Sequence, residues 1–180
     1  MSDARHMAHA LELAARGLGR VWPNPAVGCV LVRDNRVVGR GWTQPGGRPH
    51  AEAMALKQAG PAARGATAYV TLEPCSHHGK TPPCADALIA AGVSRVVTPM
   101  IDPDPRVSGA GLERLRAAGV LVEIDATHAE RAHNLNAGFL MHRLHGRPLV
   151  TLKLASSLDA RSAWVASIST STPAARNRSR

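Results

Sequence analysis

Apolar positions along this chain follow two spacings, and the spacings divide it into elements. Between residues 3 and 19, Met7, Ala10, Leu11, Leu13, Ala14 and Leu18 recur at helical intervals. Asp3 stands near the start and Gly17 and Gly19 at the end, so this is an amphipathic helix with start and stop signals. Trp22-Pro23-Asn24-Pro25 cannot continue it, because two prolines force an extended or turned loop. A valine-rich run then covers 26–32, Asp34-Asn35 turns the chain, and 36–42 returns, which predicts a β-hairpin over 26–42. Residues 50–59 are helical in composition and stop at Gly60-Pro61. A strand is expected at 66–72, closed by Glu73-Pro74, then a polar loop at 75–83 and a helix over 84–91. Further strands are expected at 94–100, 120–124 and 149–155, and further helices at 109–118 and 127–145. Helix, hairpin, then helix–strand units predict an α/β fold, a three-layer α/β/α sandwich on a mixed sheet that begins with a β-hairpin.

Composition narrows the picture. Apolar residues make up 44% of the 180 residues but aromatics only 3%, so Ala, Val and Leu must fill the interior. No run approaches the roughly 18 apolar residues of a membrane span, and no apolar segment follows the charged N-terminus as a signal peptide would require. Three cysteines, an odd number, argue for a reducing compartment, and a cytoplasmic location is expected. The net charge of +9 suggests nucleic acid at first sight. However, residues 161–180 hold four arginines (Arg161, Arg176, Arg178, Arg180) and no acid, which leaves +5 for the rest. A basic, unpatterned tail reads as a solvated, disordered end. The folded part lacks the interleaved aromatic and basic residues of a single-strand platform, so no nucleic-acid partner is expected.

The chemistry concentrates between residues 50 and 84. His50-Ala51-Glu52 opens the stretch, and Pro74-Cys75-Ser76-His77-His78-Gly79-Lys80-Thr81-Pro82-Pro83-Cys84 closes it. His50, Cys75 and Cys84 can supply three ligands to a tetrahedral zinc and leave the fourth position for water, the arrangement of a catalytic site. Glu52 is too near His50 to be a convenient fourth ligand and is well placed to move protons beside that water. H-x-E followed by P-C and a second cysteine is the signature of zinc deaminases, but here eight residues separate the cysteines instead of two. His50 and Glu52 fall in the first turn of one predicted helix and Cys84 at the start of another, where free N–H groups favour anionic groups. The alternative is a closed structural zinc site with His77 or His78 as fourth ligand, in which Glu52 would have no purpose. His77, His78 and Lys80 suit phosphate or substrate binding in the mouth of a site, though a solvated loop would also hold them. Asn24, between prolines, is either a turn residue or an amide aimed at a ring edge. Cys29, inside a predicted strand, reads as a small buried thiol and not as a ligand.

The segment 71–84 closely resembles the deaminase domain of the bifunctional riboflavin-biosynthesis deaminase/reductase family. The likeness extends through Asn24-Pro25-Ala26-Val27-Gly28, His50-Ala51-Glu52, Asp102-Pro103-Asp104-Pro105, Gly109-Ala110-Gly111, Leu135-Asn136 with Phe139, and Arg147-Pro148, roughly residues 3–159. It implies a cytidine deaminase-like fold, a zinc cofactor, and hydrolytic deamination of 2,5-diamino-6-(5-phosphoribosylamino)pyrimidin-4(3H)-one to 5-amino-6-(5-phosphoribosylamino)uracil and ammonia. Carried over, His50, Cys75 and Cys84 match the zinc ligands and Glu52 the proton shuttle. Asn24 matches a pyrimidine contact, and His77 and Lys80 match positions near the ribose phosphate. The expected partner is a small phosphorylated pyrimidine, with no membrane and with a homo-oligomer left open. Thr43 departs from the family, some members of which carry histidine there.

A second departure bears on domain organisation. Residues 1–146 are expected to form the deaminase domain, and 151–159 look like the opening of the family's NADPH-dependent reductase domain. Ala160 replaces the usual glycine, and the chain reaches only Arg180. Residues 147–180 are therefore expected to be a truncated start of that domain, with no reductase activity and no NADPH site. Deamination of another aminated nucleobase, or an inactive remnant that associates through an exposed reductase-facing surface, stand as alternatives.

Overall fold

Alternation of side chains along the strands sorts the core into two halves, one on each face of a central sheet. The computed structural model describes residues 3–77, 82–103 and 108–153. Among them, helix α1 (Asp3–Ala15) precedes β1 (Gly28–Arg33) and β2 (Arg36–Trp42), then α2 (Ala51–Ala59) and β3 (Thr67–Val70). There follow α3 (Cys84–Ala90), β4 (Arg95–Thr98), α4 (Ala110–Ala117), β5 (Leu121–Ile124), α5 (Ala129–Leu135) and α6 (Ala137–His145). The strands lie in the order β2-β1-β3-β4-β5. β1 pairs antiparallel with β2 and β3, while β3, β4 and β5 run parallel, so the sheet is mixed.

Odd-numbered strand residues Cys29, Leu31 and the even-numbered Ala68, Val70 and Val96 face α2, α3 and α4, with Ala55, Leu88, Leu112 and Leu115 packed on them. Val30, Val32, Tyr69 and Val97 face the other way, onto Met7, Leu11 and Leu13 of α1 and Ala132 of α5. Helices therefore cover both faces, as the expected three-layer sandwich requires. Cys29 is fully buried, as expected for a structural thiol.

The hairpin turns at Asp34 and Asn35, whose φ values of 50° and 59° are those of a two-residue loop with both residues left-handed. Gly28, Gly39 and Gly41 of this hairpin let helix backbone approach the sheet closely, and Gly28 and Gly41 show it most sharply. A Cβ on Gly28 would stand 1.9 Å from the Ala10 carbonyl oxygen of α1, and one on Gly41 would stand 2.1 Å from the Ala51 carbonyl oxygen of α2. Gly41 matters for chemistry, because α2 carries His50 and Glu52 at its start.

Two expectations need correction. The helix expected over 127–145 is broken: α5 ends at Leu135, and α6 starts at Ala137. Asn136 between them turns its side chain inward, accepting from the Ala26 N–H at 2.8 Å and donating to the Ala26 carbonyl at 3.1 Å. A buried amide used this way competes with continuous helix. The strand expected at 149–155 is absent through residue 153, and Val150 and Leu152 are 82% and 76% exposed. Gly146 ends α6 in a left-handed conformation, and Pro148 then removes a donor that a sheet edge would need. The expected disordered tail beyond that point lies outside the described residues.

One ion cluster ties α1 to the far side of the sheet. Arg95 on β4 donates to Asp3 at 2.6 Å and also to Glu123 on β5, while the Tyr69 hydroxyl donates to Asp3 at 2.6 Å. The Arg95 and Tyr69 hydrogen bonds hold the Asp3 carboxyl down to about 2, and burial with the Asp3 hydrogen bond pushes the Tyr69 phenol up to about 12. Asp3 is thus held below its ordinary 3.8 in the folded chain. Its contribution is present above about pH 4 and is lost as pH falls through about 2. Asp3→Asn should lower stability at pH 7 by on the order of 0.5–1 kcal/mol, the scale of a half-exposed pair. Urea unfolding midpoints should show that gap closing between pH 4 and pH 2. A gap that is unchanged at pH 2 would remove the carboxylate from the account.

Candidate active site

The sequence places a cysteine at each end of a nine-residue step, and local hydrogen bonding closes the step. Cys75 follows the end of the β3 segment, and its Sγ accepts the Cys84 N–H at 3.3 Å while its carbonyl accepts the Ala85 N–H at 3.1 Å. Cys75 thereby covers the first turn of α3 and satisfies two of that helix's free donors. His50 reaches the pair from the neighbouring helix, where it is the residue preceding α2 in an extended conformation. Its Nδ1 lies 3.3 Å from Cys84 Sγ and 3.8 Å from Cys75 Sγ, and the three donor atoms all lie within 4.8 Å of one another.

This donor set fits zinc. Zinc–sulfur and zinc–nitrogen bonds of about 2.3 and 2.0–2.1 Å at tetrahedral angles put N and S ligand atoms roughly 3.6 Å apart, between the two distances observed. Two sulfurs and one imidazole are also the ligand softness that zinc prefers over magnesium or calcium. Hydrogen bonds from the Cys84 thiol and from His50 hold the Cys75 thiol down to about 4, so a thiolate is ready at neutral pH. The same contact with Cys75, together with burial, pushes the Cys84 thiol up.

Glu52 sits in the first turn of α2 and is 4% exposed. Burial, followed by the negative Cys75 sulfur, raises its carboxyl above the ordinary value. On the far edge of the imidazole, Asn24 Nδ2 lies 3.2 Å from His50 Nε2 and donates to the Gly47 carbonyl at 2.6 Å. Gly47 is left-handed at φ 83°, and a Cβ there would stand 2.9 Å from the Asn24 amide. These groups line a cleft of about 390 Å³ whose walls also include Thr43, His77, Phe139 and Arg143. Its rear is braced by Glu73. That buried carboxylate accepts the N–H groups of Asp102 (3.0 Å), Gly109 (2.9 Å) and Gly111 (2.8 Å), fastening the start of α4 to the strand end that carries Cys75.

A family model described as the cytidine and deoxycytidylate deaminase zinc-binding region matches residues 1–100, more than half of the chain. The chain belongs to this deaminase family. Among its relatives, the riboflavin biosynthesis protein RibD of Escherichia coli is 57% identical over 166 residues, covering 91% of this chain and 44% of the relative. The solved structure of Acinetobacter baumannii RibD superposes with a TM-score of 0.82 at 53% identity, covering 88% of this chain and 44% of that one. A Thermotoga maritima protein, described as a diaminohydroxyphosphoribosylaminopyrimidine deaminase/5-amino-6-(5-phosphoribosylamino)uracil reductase, gives 0.80 at 44% identity over 91% of this chain and 49% of that one. The chain thus spans a little under half the length of the curated relatives it matches.

Within this deaminase framework, most of the residues singled out by sequence come together. His50, Cys75 and Cys84 cluster, Glu52 is beside them, and Asn24 and His77 line the same cleft. His77 is exposed and stands outside the sulfur–imidazole cluster, so it is not a fourth ligand there. His78 and Lys80 lie outside the described residues. The sequence marks Glu73 only as a strand terminator and assigns no part to Arg143 or Arg48. Glu73 adjoins Pro74-Cys75, which was a signal of a sort, but its three partners lie 29 to 38 residues away. Thr43, the departure from the resembled pattern, is buried, with its hydroxyl accepting the Val27 N–H at 3.1 Å.

Glu73→Ala would strand three backbone donors in and around the core. It should destabilise the zinc-loaded protein by about 2–4 kcal/mol, read from urea midpoints, with Glu73→Gln losing less. A loss under about 1 kcal/mol would show that water can replace the carboxylate.

Proposed function

We propose that the chain is a zinc-dependent hydrolytic deaminase acting on 2,5-diamino-6-(5-phosphoribosylamino)pyrimidin-4(3H)-one, yielding 5-amino-6-(5-phosphoribosylamino)uracil and ammonia. The observation that carries this reading is the convergence of His50, Cys75 and Cys84 at ligand spacing beside the buried carboxyl of Glu52. The high identity to RibD over residues that include this whole constellation supports the choice of substrate.

In this reading His50, Cys75 and Cys84 hold the metal, which when bound supplies a water acidified towards a pKa of about 7. Glu52 takes one proton of the attacking water on a carboxylate oxygen and passes it to the ring nitrogen. It then takes the remaining proton from the new hydroxyl group as the carbonyl forms and delivers it to the departing amino group. A C–O bond forms at the amidine carbon, the C–N bond breaks, and ammonia leaves. Burial of Glu52 suits this work, because a carboxyl raised above its ordinary value can hold the proton between the two transfers. Asn24 orients the ring, with its amide fixed by Gly47, and His77 and Lys80 meet the phosphoribosyl end. The deaminase unit closes near residue 146, where the left-handed Gly146 ends α6. Residues 147–180 are read as the opening of a second domain. The reductase activity in the Thermotoga protein's description forms no part of this proposal.

Metal analysis combined with an ammonia-release assay tests the reading. Wild type and Glu52→Gln should each hold one zinc per chain, with turnover of the diaminopyrimidine phosphate reduced by about 10²–10⁴ in the variant. Cys84→Ala should lose both zinc and activity. Undiminished turnover in Glu52→Gln would remove the role given to that residue. Faster wild-type turnover of cytidine than of the diaminopyrimidine phosphate would overturn the substrate.

A further inference from the structure

The family model ends at residue 100, yet one wall of the cleft comes from α6, residues 137–145. That wall lies beyond the region shared with the wider deaminase family and inside the region matched to RibD. Catalytic groups common to a broad family cannot by themselves tell one aminated heterocycle from another. Side chains that a later helix adds to the same cleft can.

Two residues of α6 line the cleft, Phe139 and Arg143. They are four apart and so share one helix face. The Arg143 guanidinium lies over the Phe139 ring, 5.6 Å from its centroid, an arrangement in which the aromatic face steadies the cation. The direction of this face is set from within the fold. Asn136, immediately before α6, grips both backbone polar groups of Ala26, and Ala26 adjoins Pro25, which lines the same cleft. The charge of Arg143 is also uncommitted. Arg95 is paired with Asp3 and Glu123, and Arg114 with Asp86, whereas Arg143 has no carboxylate partner among the described residues. An unneutralised guanidinium at the mouth of a cleft, backed by an aromatic ring and with His77 on the same lining, has the planar fork that suits two phosphate oxygens.

We propose that Phe139 and Arg143 form the specificity wall of the site, Phe139 packing against the ribosyl-bearing side of the substrate and Arg143 binding its phosphate. The proposal deepens the deaminase reading above and rests on it for the identity of the substrate. Its test reads binding as well as turnover, so that the two can fail separately.

The probe is ribose 5-phosphate, titrated calorimetrically into the zinc-loaded full chain and into Arg143→Ala, Arg143→Lys and Phe139→Leu. Arg143 is exposed, so its variants should keep wild-type zinc content and melting temperature. Arg143→Ala should weaken ribose 5-phosphate about tenfold, the scale of one charge-assisted contact, and Arg143→Lys should recover part of the loss. Phe139→Leu should weaken it less than Arg143→Ala does. In kinetics, Arg143→Ala should raise KM for the diaminopyrimidine phosphate with little change in kcat. Its kcat/KM preference for that substrate over the dephosphorylated compound should fall about tenfold. Unchanged ribose 5-phosphate binding in Arg143→Ala, or an equal loss on phosphorylated and dephosphorylated substrates, would overturn the proposal. Arg143-dependent binding of ribose 5-phosphate without any ammonia release would uphold the wall and sink the deaminase reading instead.

Discussion

Closure of the chain between Cys75 and Cys84 is the interaction on which the site depends. Two backbone N–H groups of α3 are spent on Cys75, one on its sulfur and one on its carbonyl. A helix start that would otherwise need solvent or a capping side chain is satisfied by a residue that is also a prospective ligand. His50 must arrive independently, and the position of α2 on the sheet decides whether it does. Gly41 has no side chain where the Ala51 carbonyl passes. The strand therefore lets α2 sit close enough for the imidazole to reach the sulfurs of α3's start.

Negative charge near this centre is handled in two ways. Glu73 is buried and its two oxygens accept three backbone N–H groups, so it serves as a brace. Glu52 is equally buried, but it lies among the sulfurs and the imidazole, and burial drives its proton affinity up. Two carboxylates in one cleft thus have different roles because their surroundings differ. The arrangement separates structural from chemical work without any difference in residue type.

How much of this could be read in the sequence follows the range of the interactions involved. The hairpin was legible because Asp34-Asn35 is a turn signal between two adjacent apolar runs, and both residues adopt the left-handed values such a turn needs. The candidate ligands and Glu52 were legible because H-x-E and P-C with a second cysteine are local patterns with few other uses. The break at Asn136 was not, since its cause is a backbone group 110 residues earlier. The same holds for Glu73, whose partners belong to a loop and helix still to come. The last predicted strand failed for a different reason. The apolar residues at 149–153 say that a segment could pair, but pairing needs a free edge in register, and after Gly146 and Pro148 residues 149–153 form no strand.

The same distinction of range explains where substrate choice should reside. The proposed metal ligands and proton shuttle are carried by short motifs, and in that reading they serve any amidine-like carbon brought to them. Recognition of the rest of a substrate must come from groups farther out in the cleft, and α6 is one source of them. α5 contributes Ala132 to the core beneath α1, which anchors it as structure. α6 has only Leu140 fully buried and turns Phe139 and Arg143 to the cleft. The hinge between the two helices is the residue that clamps Ala26, so the force that breaks the long helix is also what aims its second half at the site. A straight helix over 127–145 could satisfy its own backbone more simply, but it would leave the Ala26 peptide groups without these partners and would not have its direction set from beside Pro25.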